Sequence, residues 1–282
     1  MTSVNTNISA SKAALSMSST NNAQVKSAKR LSSGTRINSG SDDAAGIAVS
    51  SKMNAIFMGQ KSAIKAATDA ISMLKVQEAG LEQLTNILQR IRELAVQMSN
   101  GSYSDVDRGL AQLESDALLE QFLMVATNTR FNEKQVLSGT LPPPTFETID
   151  IQSGPTADES FTIALIPGVL LHGGIVSADL NKVDTQALAK ATMDGLAVEN
   201  GPMDILSNAQ ATLGSSINRL SHTVSYLTQA NVYTETAIGR IVDTDFAREA
   251  TINTKQNVLY KAASQMLAIA NDTKQNLLQL FR

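Results

Sequence analysis

No cysteine occurs among the 282 residues, so disulfides, thiolate nucleophiles and Cys-ligated metals are all excluded. Tryptophan is missing too and aromatics reach only 4%, which removes the stacking platform that single-stranded nucleic acid binding uses. The 23 basic and 26 acidic residues leave a formal net charge of -3, so no global field draws the chain to nucleic acid or anionic lipid. No run of about 18 apolar residues is present, and no membrane span is expected. The opening "MTSVNTNISASKAALSMSSTNN" lacks a basic segment followed by an unbroken apolar one. Export, if it occurs, is therefore expected without a cleaved signal peptide. A content of 43% hydrophobic residues is enough to bury a core and excludes a chain disordered throughout.

What the chain does have is heptad periodicity. Alternating steps of four and three from Val49 meet Met53, Ile56, Gln60, Ala63, Ala67, Ala70 and Leu74, then Gln77, Leu81, Leu84, Leu88, Ile91, Ala95 and Met98, with only the two glutamines polar. A helix from about Ala44 to Ser99 follows, roughly 80 Å long at about 1.5 Å per residue. Asn100-Gly101 is a stop signal, and Ser104 with Asp107 predicts the N-cap of a second helix whose apolar stripe is Val106, Leu110, Leu113 and Ala117. Beyond Thr129 the period changes: "GTLPPPTF" is a stiff extended linker. Ile149 and Ile151, then Phe161, Ile163 and Leu165, alternate about an "SGPTADES" turn and predict a small β-hairpin, with a second turning at Gly173-Gly174.

Helical spacing returns near Thr185 and is clean from Met203, through Leu206, Leu213, Leu220 and Leu227 to Ile241. It lapses at "VDTDFAREAT". A second seam, out of phase with the first, runs through Leu259, Ala263, Met266, Ala270, Thr273, Leu277 and Leu280, which predicts a joint between two helices. The N-terminal segment carries Val4, Ile8 and Leu15 among serines and asparagines, too weak an apolar face to hold itself. The seam from Leu259 to Leu280 is its expected partner.

Chemistry has little to work with. In "LSSGTRINSGSDDAAGIAVS", Gly34 and Gly40 are one residue too far apart for a phosphate loop and Ser41 stands where Lys is required. Asp42-Asp43 offers neither the alternation nor the final Glu of an EF-hand. The stretch reads as a polar connector ending in Ser41-Asp42-Asp43 as cap and first-turn carboxylates of the long helix. His172 and His222 are isolated, no H-E-x-x-H or G-x-S-x-G occurs, and no enzyme, cofactor or metal is expected.

Four stretches nevertheless form a signature: "LSSGTRINSGSDDAAGIAVSSKM", "LQRIRELAVQMSNG", "DTDFAREAT" and "ASQMLAIANDTKQNLLQLFR". In order and distance from each end they resemble bacterial flagellin, over about Met1 to Phe131 and Met203 to Arg282. The departures are "LLEQFLMVAT", where the family carries a charged pattern, a middle with room for hairpins only, and a Phe-Arg ending. The fold expected is mainly α, with long antiparallel coiled-coil-like helices and a small β-hairpin insert. The resemblance implies an inner-tube domain of residues 1–43 and 242–282, an outer-tube domain of 44–140 and 181–241, and a short insert at 141–180. It further implies a filament subunit for swimming motility, exported through the flagellar type III apparatus. Its partners would be other flagellin subunits, sister flagellins among them, an export chaperone, the filament cap and hook-filament junction proteins, and a host flagellin-sensing Toll-like receptor.

Carried over by position, receptor recognition falls on Gln89, Arg90, Glu93 and Leu94 with Glu114. Polymerisation falls on the terminal stripes of Val4, Ile8 and Leu15 and of Leu259, Ala263, Met266, Ala270, Leu277 and Leu280. The alternatives are a hook-filament junction protein of the same superfamily, whose arginine-glutamate motif is less complete, and a non-flagellar coiled-coil adaptor or adhesin.

Overall fold

The computed structural model describes residues 6–137, 148–156, 158–164, 180–199 and 201–280. Six α-helices lie among them: α1 (Ile8–Ser33), α2 (Ala44–Met98), α3 (Asp105–Asn128), α4 (Gln186–Ala197), α5 (Pro202–Val242) and α6 (Phe246–Leu280). Two antiparallel hairpins pair β1 (Arg130–Phe131) with β2 (Lys134–Gln135), and β3 (Thr148–Gln152) with β4 (Ser160–Ala164). The mainly helical class with a small hairpin is as the sequence predicts. The second hairpin, expected at Gly173-Gly174, falls outside the described residues, as does His172.

The chain divides into two compact units, one of Met1–Phe57 with Val232–Arg282 and one of Met58–Asn231. The division falls inside α2 and α5, not at the connectors that bound the domains expected from sequence.

In the unit of residues 58–231 the heptad seam of α2 is buried from Gln60 onward, with Leu74, Leu81, Leu84, Leu88 and Ile91 fully enclosed. They pack in one core with Leu206, Leu213 and Leu220 of α5, with Phe122 and Ala126 of α3, and with Ile151 and Ile163 of the hairpin. Burial of such side chains, at about 1.5–3 kcal/mol each, is what sustains helices of this length. At Gly80 the return from β2 comes so close that a Cβ would lie 2.5 Å from Leu137 Cδ1, a space only glycine leaves.

Helix α3 starts as predicted, with a capping box in which the Ser104 side chain accepts from Asp107 N–H and the Asp107 carboxylate accepts from Ser104 N–H. Its predicted stripe is not the buried one. Val106, Leu110 and Leu113 stand 75%, 63% and 67% exposed, while Arg108, Ser115, Phe122 and Ala126 are buried. Polar anchoring and the C-terminal aromatic decide the docking face. Arg108 donates from Nε to Met98 O at 3.0 Å, from Nη2 to Asn100 O at 2.9 Å and from Nη1 to Asp105 Oδ1 at 2.9 Å. Ser115 Oγ donates to Asn181 O at 2.7 Å. These bonds satisfy the end of α2 and the returning strand, which an outward Arg108 would leave unsatisfied.

In the other unit α1 and α6 run antiparallel, the Asn7 amide donating to Ala270 O and the Ser27 hydroxyl to Glu249 O. The expected pairing of the two ends is present, but with other faces. Small and polar positions are the partly buried ones: Ala10, Ala13, Met17, Thr20, Gln24 and Ser27 on α1, and Gln256, Tyr260, Ala263, Leu267 and Ala270 on α6. Of the predicted α6 seam only Ala263 and Ala270 turn inward, whereas Leu259 and Met266 are 44% and 61% exposed. Small residues allow close helix approach, and the larger apolar groups are left outside.

Candidate functional site

The connector between α1 and α2 is a joint. Gly34, at φ 72°, ends α1 in the left-handed conformation that spares glycine the Cβ penalty. Arg36 N–H then donates to Val242 O at 2.6 Å, its Nη2 to Ile241 O at 2.7 Å, and Thr244 N–H to Gly34 O at 3.0 Å. Thr35 and Asp243 form an isolated antiparallel bridge. The "DTDF" joint between α5 and α6 and the connector are thus stitched to each other.

Asp43 is the cap of α2, its carboxylate accepting from Gly46 N–H at 2.8 Å. Asp42 is not a first-turn residue, as the sequence reading had it. It turns back to Lys26 Nζ at 2.8 Å and accepts from Asn38 N–H and Ser39 Oγ. The lysine bond first, then the backbone bond, lower its pKa to about 2. Arg30 approaches the buried Glu249 at 3.8 Å. No group of three or more His, Cys, Asp or Glu able to hold a metal exists among the described residues, nor is any described helix long and apolar enough to cross a membrane.

The carried-over recognition residues come together on one face of α2 and α3, with one exception. Gln89, Arg90, Glu93 and Glu114 are exposed. Arg90 donates from Nε and Nη2 to the same Glu114 oxygen at 2.9 and 2.7 Å, and from Nη1 to Glu93 at 3.2 Å. Glu114 first, then Glu93, raises the Arg90 pKa further. Leu94 is 3% exposed; it packs under the face and is not part of its surface, because it faces the core side of the same helix turn. Beside the face an open groove of about 470 Å³ is lined by Gln89, Arg92, Glu93, Val96, Gln97 and Met203.

The terminal stripes lie in water. Ile8 and Leu15 are 63% and 72% exposed, and they are joined by Val25, Val258 and Ile269, which the periodicity did not single out. Their signal was there as a second spacing on each helix, hidden because the search followed one phase only. Val4 and the side chains of Leu277 and Leu280 lie outside the described residues.

Comparison with known proteins agrees with this architecture. The family described as "Bacterial flagellin N-terminal helical region" matches residues 4–141, and "Bacterial flagellin C-terminal helical region" matches 198–281. The 31.3 kDa flagellar filament core protein of Treponema maltophilum is 34% identical over 99% of both chains. The flagellin of Bacillus subtilis (strain 168) is 33% identical, again over 99% of both. A solved structure described as a flagellar hook-associated protein from Vibrio parahaemolyticus superposes with a TM-score of 0.60 at 14% identity, covering 72% of this chain and 100% of that one, a likeness of fold. With both helical regions matched and relatives aligned end to end, the chain belongs to the bacterial flagellin family.

Proposed function

We propose that this flagellin polymerises through its two terminal helices, whose outward faces carry the apolar side chains that a single subunit leaves in water. A flagellin is a structural subunit of the extracellular flagellar filament, and its partners include other flagellin subunits. The observation that carries the terminal-helix reading is the inverted packing of α1 and α6. Small residues meet between the helices while Leu15, Val258 and Met266 stand 72%, 61% and 61% exposed. A monomer gains nothing from that arrangement; a polymer that covers the stripes gains about 25 cal/mol per Å² of apolar surface removed from water. Residues 1–43 with 242–282 then form the inner tube, and 44–140 with 181–241 the outer one.

Export through the flagellar type III apparatus, with a chaperone over the α6 stripe until assembly, follows from the need to keep such a surface covered. The exposed Gln89, Arg90, Glu93 and Glu114 are the surface offered to a flagellin-sensing Toll-like receptor. Junction-protein identity has only a likeness of fold at 14% identity behind it. Heat-dissociated protein, re-seeded and imaged by negative stain, tests the reading: long filaments are expected, and small closed oligomers would fit a coiled-coil adaptor instead.

A further inference from the structure

Two exposed faces of the unit formed by residues 58–231 take no part in the contacts described above, and they are opposite in charge. On α3 the Val106, Leu110, Leu113 and Ala117 stripe is rimmed by Asp107, Glu114, Asp116 and Glu120, all exposed. The one basic residue of that helix, Arg108, is buried and spent on the end of α2. On α2 the exposed positions Met58, Lys61, Lys65, Thr68, Ser72 and Lys75 recur at three- and four-residue steps and so form one face, with Asp69 the single carboxylate beside it.

The α3 stripe cannot meet that face within its own molecule. Helix α3 is tied to α2 at Arg90 and at Met98, and from Lys75 to Arg90 is roughly 22 Å along the helix at about 1.5 Å per residue. The stripe also faces away from α2.

We propose that the α3 stripe of one subunit binds the lysine face of α2 on the next copy. This rests on the filament-subunit reading above. Lysine is the side chain suited to such a surface: its four-carbon stem covers Val106, Leu110 and Leu113 while the ammonium group reaches the carboxylate rim. Charge complementarity sets the register and rejects the reverse pairings, lysine face on lysine face or acidic stripe on acidic stripe. Because the two faces are different, the contact is heterologous and does not close, which is what an open-ended polymer requires.

The chain contains no cysteine, so introduced thiols report without background. Leu113→Cys is combined in turn with Lys61→Cys, Lys65→Cys and Lys75→Cys, assembled on wild-type seeds, mildly oxidised and run on a non-reducing gel. At least one double variant is expected to give a ladder of multimers, and each single variant to remain monomeric. In parallel, Lys65→Glu and Glu120→Lys are each expected to slow elongation at least tenfold, and their combination to recover it, with helicity by circular dichroism unchanged throughout. Dimers from Leu113→Cys alone would mean that the stripe meets its own copy, and would overturn the pairing. So would wild-type filaments accompanied by no ladder and by charge reversals that elongate normally; the filament reading itself would then survive. Failure of the wild type to form filaments would overturn both.

Discussion

Arg108 closes the end of α2 by giving three donors of one guanidinium to Met98 O, Asn100 O and Asp105. Hydrogen bonds from a charged group to buried acceptors are worth about 1.5–3 kcal/mol, so Arg108→Ala should lower the unfolding free energy by about 2 kcal/mol or more in urea titration. Arg108→Lys should recover only part, since a point charge cannot span three acceptors in a fixed fork. The Arg90 to Glu114 pair is different, with both side chains 47% exposed. Solvent screening keeps such a pair below about 1 kcal/mol. Arg90→Ala and Glu114→Ala should therefore leave folding nearly intact while weakening receptor signalling, and signalling equal to wild type in both would remove the face from the recognition site. Asp42 gives the pH dependence. Its pKa in the folded chain, about 2, lies below the ordinary 3.8. Its contribution to the joint is fully present above 3.8 and is lost as pH falls through about 2. Carbon-13 titration of the Asp42 carboxyl should show that midpoint, and Lys26→Ala should move it up toward the ordinary value.

At the scale of elements, most of the fold was legible because one face of each long helix is buried continuously. The α2 seam from Gln60 to Met98, the Ser104 capping box and the hairpin about residues 153–159 all follow from local spacing and turn chemistry. What misled was periodicity shared by two faces. On α3 and α6 apolar residues recur at helical steps on a side that faces water, and spacing alone cannot tell a core stripe from an intersubunit one. Arg108 and Ser115 decide the matter on α3 by long-range hydrogen bonds that no local pattern encodes, and Leu94 was taken for surface because it adjoins a charged motif. The tight β1-β2 hairpin escaped notice since Asn132-Glu133 is not an Asn-Gly pair, although both residues adopt positive φ, 48° and 67°. Glu133→Gly should accordingly stabilise by about 1 kcal/mol, by relieving a left-handed conformation at a residue with a Cβ. Gln77 makes a second element-level case. It is fully buried in the α2 seam and neither its amide nitrogen nor its oxygen has a protein partner. Gln77→Leu, close in volume and free of that desolvation cost, should raise the midpoint of chemical denaturation; a fall would mean that the amide has a partner the monomer does not supply.

For the whole molecule the decisive quantity is how little holds the two ends before assembly. Among the described residues of α1 only Ser27 is buried, and on α6 only Glu249 and Ala263 are. An interface of alanines, hydroxyls and one loose ion pair buries too little apolar surface to offset the ordering of two helices, for which about 1–2 kcal/mol per residue must be found in backbone entropy alone. The ends of the free subunit should therefore open with a free energy near zero, while the seam around Leu81 and Leu88 opens only with global unfolding. Hydrogen exchange on monomer and on filament tests this. Rapid exchange over residues 8–30 and 256–276 in the monomer, with strong protection in the filament, is the expected result. Strong protection before assembly would show that the ends fold unaided and would remove the basis for a covering chaperone. The same balance predicts what a charge does there. Met266→Asp or Leu15→Asp costs the monomer almost nothing, because both side chains are already in water. In the polymer either would bury an unpaired carboxylate at a cost of several kcal/mol per contact. Soluble subunits with an unaltered thermal transition of the long-helix unit, and no filaments from seeds, are expected from each.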